Sequence, residues 1–166
     1  RWVNDTPLLN PAGPTAPLFI HGGEVRLGAA GDLTLEAGSL IDVSGAARLT
    51  AAGALEAGHA GSIRLASLPA NAEISGTQMT LDGELRGHGL EDGGSLELRA
   101  GAFDIASTAH PERAGRVQLT PAFFTNGGFT HYTLHAESAQ DAAGDVLIDV
   151  APGTRVDARA ESLVLG

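Results

Sequence analysis

The sequence predicts an all-β chain, wound as a parallel β-solenoid rather than folded back as hairpins. Three observations lead there. Short apolar-polar-apolar triplets recur along the chain, Gly-rich punctuation separates them, and aromatic residues make up only 4% of 166 residues. A sandwich core commonly uses several large rings, whereas a narrow solenoid interior is filled by stacked Leu, Ile, Val and Ala.

The triplets begin with Val25-Arg26-Leu27, Leu33-Thr34-Leu35, Ile41-Asp42-Val43, Ile63-Arg64-Leu65 and Met79-Thr80-Leu81. They continue with Leu96-Glu97-Leu98, Phe103-Asp104-Ile105, Val117-Gln118-Leu119, Tyr132-Thr133-Leu134, Ile148-Asp149-Val150 and Leu163-Val164-Leu165. Residues two apart on a strand share a face, so the outer members point one way and the middle one the other. Every middle residue except Val164 is polar or charged, which gives one dry face and one wet face. Helical spacing is nearly absent, and Ala136 to Ala143 is the only stretch expected to wind into a turn.

Gly22-Gly23, Gly31-Asp32, Ser44-Gly45, Gly93-Gly94 and Gly127-Gly128 punctuate the strands. Such residues accept positive φ or bond back to the local backbone, and so turn the chain. Loose repeats are present: Gly61-Ser62-Ile63-Arg64-Leu65-Ala66 recurs as Gly94-Ser95-Leu96-Glu97-Leu98-Arg99. A three-residue strand buries little against a hairpin partner, but in a coil its neighbours above and below supply the pairing. Residues 1–18 hold Pro7, Pro11, Pro14 and Pro17 and read as an irregular lead-in, with the solenoid over 19–166. At about 20–25 residues per coil the chain makes about six or seven coils, and strands ~4.8 Å apart give a rod of about 30–35 Å.

Composition excludes several classes of function. The net charge is −10, and all ten basic residues are Arg. Nucleic acid demands a basic surface, and anionic lipid heads repel an acidic one. No apolar run approaches the ~20 residues that cross a bilayer. A hydrophobic content of 43% is too high for a disordered acidic tail. There is no Cys, hence no disulfide or thiolate metal site. The chain opens with Arg1, which reads as a piece of a longer protein whose targeting segment lies elsewhere.

The run from Leu33 through Gly45 (LTLEAGSLIDVSG) and Gly83-Glu84-Leu85-Arg86-Gly87-His88-Gly89 resemble coils of filamentous haemagglutinin-type large exoproteins. So do the runs from Phe123 to Leu134 and from Asp145 to Thr154, and the resemblance covers most of residues 20–166. It implies a right-handed parallel β-helix, forming an internal or C-terminal shaft segment of a Gram-negative adhesin. It also implies export through the periplasm by an outer-membrane two-partner secretion transporter, display at the cell surface, and a host glycan or protein receptor. Asn10-Pro11-Ala12-Gly13 resembles the Asn-Pro motifs of that family's secretion domain, but the rest of that pattern is missing. The resemblance supplies no catalytic residue and no cofactor, so no enzymatic activity is expected.

The alternative is a β-helical carbohydrate-active enzyme, a polysaccharide lyase or hydrolase working through paired carboxylates. Asp42, Asp82, Glu84, Asp104 and Asp149 are its candidates, although each sits mid-triplet or beside a Gly turn and reads first as a solvated outer-face residue. A third possibility is a β-sandwich binding module. His131 and His135 have a zinc spacing only on a helix, and on the strand expected there they lie about 13 Å apart. His21, His59, His88 and His110 define no ligand set. Phe123, Phe124, Phe129 and Tyr132 form the one aromatic cluster, either a sugar-stacking or partner-docking patch or a group that fills the core.

Overall fold

The computed structural model describes residues 2–4, 20–50, 52–67, 78–90, 92–108, 116–137 and 146–158. Within them the chain is all-β. The first strands are β1 (Trp2–Asn4), β2 (Glu24–Ala29), β3 (Leu33–Leu35), β4 (Leu40–Asp42), β5 (Ala47–Leu49) and β6 (Leu55–Ala57). There follow β7 (Ser62–Ser67), β8 (Met79–Leu81), β9 (Glu84–Arg86), β10 (Gly94–Ala100), β11 (Phe103–Ile105) and β12 (Val117–Leu119). A single helical turn, α1 (Phe123–Asn126), precedes β13 (Phe129–Ala136) and β14 (Ile148–Val150). The turn anticipated near Ala136 is not where the described helix lies: Ala136 ends β13, and residues 138–143 fall outside the described set. Leu163-Val164-Leu165 and His110 also fall outside it.

Each described triplet contributes to a strand; in β3, β7 and β10 alternation buries the outer side chains, as with Leu33 and Leu35, while the middle residue stays at least partly wet. The match is displaced by one residue at β4, which ends at Asp42 and leaves Val43 in the following turn. Strands β1, β5, β6 and β9 carry no such triplet and were not anticipated from the alternation. β1 lies inside the segment read as an irregular lead-in and pairs with β5, Trp2 opposite Ala47.

Among the described residues every strand pairing is parallel except β5–β6. The largest sheet has the order β13-β10-β7-β2. The others are β12-β11-β14, β1-β5-β6, β3-β8 and β4-β9. Registers align like residues: Val25, Ile63, Leu96 and Tyr132 form one row, and Leu27, Leu65, Leu98 and Leu134 the next. On the facing strands Leu33 sits beside Met79, and Phe103 lies between Val117 and Ile148. These rows meet in one hydrophobic core in which Ile63, Leu65, Leu96 and Leu98 are buried.

The expected six or seven coils of 20–25 residues are corrected here. Triplets taken as successive coils belong to different sheets: β2, β3 and β4 follow one another in sequence and pair with β7, β8 and β9 respectively. Each of these three returns is therefore longer than 25 residues, although β12 comes back beside β11 after a much shorter one, and the largest sheet has four strands. At ~4.8 Å per neighbour that sheet is about 15 Å deep, not 30–35 Å.

Where separate passes of the chain touch, glycine is required. Gly58 donates its N–H to Ala46 O at 2.7 Å, and a Cβ there would stand 1.7 Å from Ile20 O. Gly128 has φ +72°, and a Cβ on it would meet the His88 ring.

The strands at sheet edges keep apolar residues in water: Leu27 is 40% exposed and Val150 50%, against 0% for Leu98. In urea unfolding, Leu98→Ala should cost about 2–5 kcal/mol, as for truncation in a packed core. Leu27→Ala should cost about 1 kcal/mol or less. Equal losses at the two positions would contradict the row assignment.

Candidate functional site

The four aromatic residues singled out in the sequence do come together, because α1 stands directly before β13. Phe123 meets Phe124 edge-on at 5.5 Å between centroids, and Tyr132 lies 5.1 Å from Phe124 and 6.0 Å from Phe129. Such T-shaped pairs suit the ring quadrupole. They are not a free contact patch, however. Phe124 and Phe129 are 4% and 1% exposed, so they pack the core and offer no surface. Phe123 and Tyr132 are half-buried. The Tyr132 hydroxyl donates to Phe123 O at 3.4 Å, and burial pushes its pKa up to about 12.

A cleft of about 340 Å³ opens beside this cluster, between β9 and the segment carrying α1. Phe123, Thr120, Ala122, Asn126 and Gly127 line one side, and Gly83, Glu84 and Leu85 the other. Leu96 and Phe129 also line it, and both are buried core members. Glu84 Oε1 accepts from Arg86 Nε at 2.6 Å, and this pair holds the Arg86 guanidinium above its ordinary range.

The carboxylate candidates divide. Asp42, Asp82 and Glu84 are exposed, as outer-face residues are expected to be. Asp42 Oδ1 accepts the Ser44 N–H at 2.8 Å, a turn contact. Asp104 departs from the mid-triplet expectation: it is 3% exposed. It stands in register with Gln118 on one side and Asp149 on the other. Asp104 and Asp149 line a cavity of about 400 Å³ with Ser107, Thr108 and Thr154. Arg116 reaches this region from the start of β12. Its Nε is 4.0 Å from Asp104 Oδ1, and its Nη2 donates to Phe103 O at 2.8 Å and Val146 O at 2.7 Å. One guanidinium thus ties together the entries of β11 and β14.

The histidines are dispersed or exposed. His21 and His59 stack at 5.5 Å with 13° between planes, and His21 Nδ1 accepts the His59 N–H at 3.3 Å. His131 and His135 share the outer face of β13, where His135 Nε2 is 3.8 Å from a Glu97 oxygen. Glu97 also pairs with Arg64 at 2.7 Å across β7–β10. Arg99 pairs with Glu137, which holds the guanidinium above its ordinary range. Glu24 lies below the usual carboxylate range, chiefly through its bond from Arg26. Among the described residues no group of three or more His, Cys, Asp or Glu could hold a metal ion.

Sequence reasoning found the aromatic cluster but missed Arg116, Thr120, Ala122 and Asn126. Only the stacking order of the strands places these beside the cavities. The His21–His59 stack is likewise visible only once the register is known. Comparison with protein-family models, curated protein sequences and solved structures returns no match for this chain.

Tyr132 is the only tyrosine, so an absorbance titration reads it directly. The phenol should remain protonated through pH 10 and ionise near about 12. Its folded-state pKa is raised, so its contribution to stability is complete below the unfolded value near 10 and declines as pH rises from there to about 12. Ionisation near 10 in the folded chain would show the ring to be open to water.

Proposed function

We propose that this chain is a right-handed parallel β-helix segment, a structural shaft of a secreted, cell-surface exoprotein of the filamentous haemagglutinin type that mediates or supports adhesion. It acts without catalysis and without a cofactor. The observation that carries the reading is the in-register parallel run β2–β7–β10–β13, with Leu27, Leu65, Leu98 and Leu134 in one apolar row. A helix of this kind would have about four coils, one per strand of that sheet.

The outer face of this run is polar and ion-paired. Arg26, Arg64 and Glu97 stand on successive strands, with exposed pairs of the kind worth about 0–1 kcal/mol each. Such a face keeps a shaft soluble and leaves recognition to local features. The parent protein would cross the periplasm, use an outer-membrane two-partner transporter, and stand on a Gram-negative cell surface facing host glycans or proteins. The lack of Cys suits passage through an oxidising compartment. The net charge of −10 argues against nucleic-acid partners. Membrane insertion is not part of the reading, and no helix among the described residues is long and apolar enough to cross a membrane.

A second reading, a β-helical polysaccharide lyase or hydrolase, is favoured by one observation. Asp104 and Asp149 are register partners lining a common cavity with Arg116 close by. Glycoside hydrolysis of the retaining kind uses two carboxyl groups about 5–5.5 Å apart.

Two assays separate the readings. Beads coated with the chain should adhere to epithelial cells above albumin-coated beads, and soluble chain should compete; adhesion at the albumin level removes the adhesive role. Incubation with neutral and acidic polysaccharides should release neither reducing nor unsaturated ends. Release that disappears in Asp104→Asn would establish the enzyme instead.

A further inference from the structure

The cleft between β9 and α1 is a break in a ladder. In the β4–β9 pair, Glu84 N–H donates to Ser39 O and Arg86 O accepts from Val43 N, each at 2.8 Å. Backbone groups in a parallel strand alternate sides from one residue to the next. The N–H and C=O of Leu85 therefore face away from β4. A third strand on that side would take them up, but the chain there forms α1, whose N–H groups of Phe124, Thr125 and Asn126 donate within the turn to Pro121 O and Ala122 O. No backbone partner for either Leu85 group occurs among the described residues. The pairing resumes two residues on, where Gly87 N–H donates to Gly127 O at 2.8 Å.

From this geometry we propose that the cleft is a binding site for one neutral pyranose unit, with Leu85, Phe123 and Asn126 as its contact residues. The proposal deepens the adhesive reading by naming a receptor class and a place. The space of about 340 Å³ lies within the usual range for small-ligand pockets. Its polar groups include both signs of hydrogen bond. The Leu85 N–H donates and its C=O accepts, the Asn126 amide does both, and the Thr120 hydroxyl does both. Adjacent sugar hydroxyls are likewise donors and acceptors. The half-buried Phe123 ring supplies an apolar wall for the C–H face of the sugar. Glu84 is neutralised by Arg86, so the rim presents dipoles and no unpaired charge. A sugar acid would bring a charge with no partner into a chain of net charge −10.

The test is titration of the ¹⁵N-labelled full chain with methyl glucoside, galactoside, mannoside and N-acetylglucosaminide, with methyl glucuronide and a capped extended tetrapeptide alongside. The Leu85 amide and the Asn126 side chain should shift with at least one neutral pyranoside, at a Kd on the order of 1–10 mM. Ala122→Phe, which fills the mouth from an exposed position, and Asn126→Ala should each weaken binding roughly tenfold or more. Arg155→Ala, an exposed residue outside the cleft, should leave it unchanged. Dispersed amide spectra of the variants establish that they fold. No shift at Leu85 with any neutral pyranoside, equal affinity for the glucuronide, shifts produced only by the peptide, or binding undiminished in both variants would each overturn the proposal. Bead adhesion that persists while the sugar titration fails would leave the shaft reading standing and remove the cleft alone.

Discussion

In-register parallel stacking is the constraint on which everything else in this chain depends. When a strand lies beside the next in the same direction, each residue acquires a neighbour of the same kind above and below. Leu65 between Leu27 and Leu98 is the simplest case. Apolar rows then add burial at each step at roughly 25 cal/mol per Å² removed from water, without large side chains. The scarcity of aromatic rings follows from this arrangement. So does the need for glycine where passes converge, since Gly58 has room for backbone alone.

The departures from stacking are where polar chemistry collects. β12 pairs beside β11 although little chain separates them, and the return brings Arg116 to the entries of β11 and β14. That insertion accompanies the burial of Asp104, whereas the middle residues Arg26, Thr34, Asp42, Arg64 and Thr133 of other triplets are exposed. α1 is the second departure, and it leaves the Leu85 edge open above an apolar floor. The regular rows give rigidity, and the interruptions give the chain concave surface.

Most strands were legible in the sequence because period-two alternation is local: Ile63-Arg64-Leu65 and Leu96-Glu97-Leu98 need no tertiary context to be read. The strands that were missed lack that signal. β9 has a single buried side chain, Leu85, and β5 with β6 forms an antiparallel pair whose Leu49 and Leu55 remain exposed. The length of each return was misjudged because triplets on different faces look alike. Nothing in Leu33-Thr34-Leu35 says that its partner is Met79-Thr80-Leu81 rather than the next triplet along. The aromatic cluster was legible as a cluster, with core filling as one of its readings; which rings are buried and which stay half-open depends on α1 lying beside β9. The Asp104–Asp149 and His21–His59 neighbours are products of register alone.

Paired cysteines on β7 and β10 test the stacking directly, since the natural chain has none. Ser62 and Ser95 are register partners in the parallel arrangement, whereas an antiparallel pairing of the same strands would set Ser62 beside Arg99. Neighbouring strands place partner residues within reach of a disulfide, while four residues along a strand is about 13 Å, too far to bridge. Under mild oxidation Ser62→Cys/Ser95→Cys should close intramolecularly and Ser62→Cys/Arg99→Cys should stay reduced. Closure of the second pair and not the first would contradict the account.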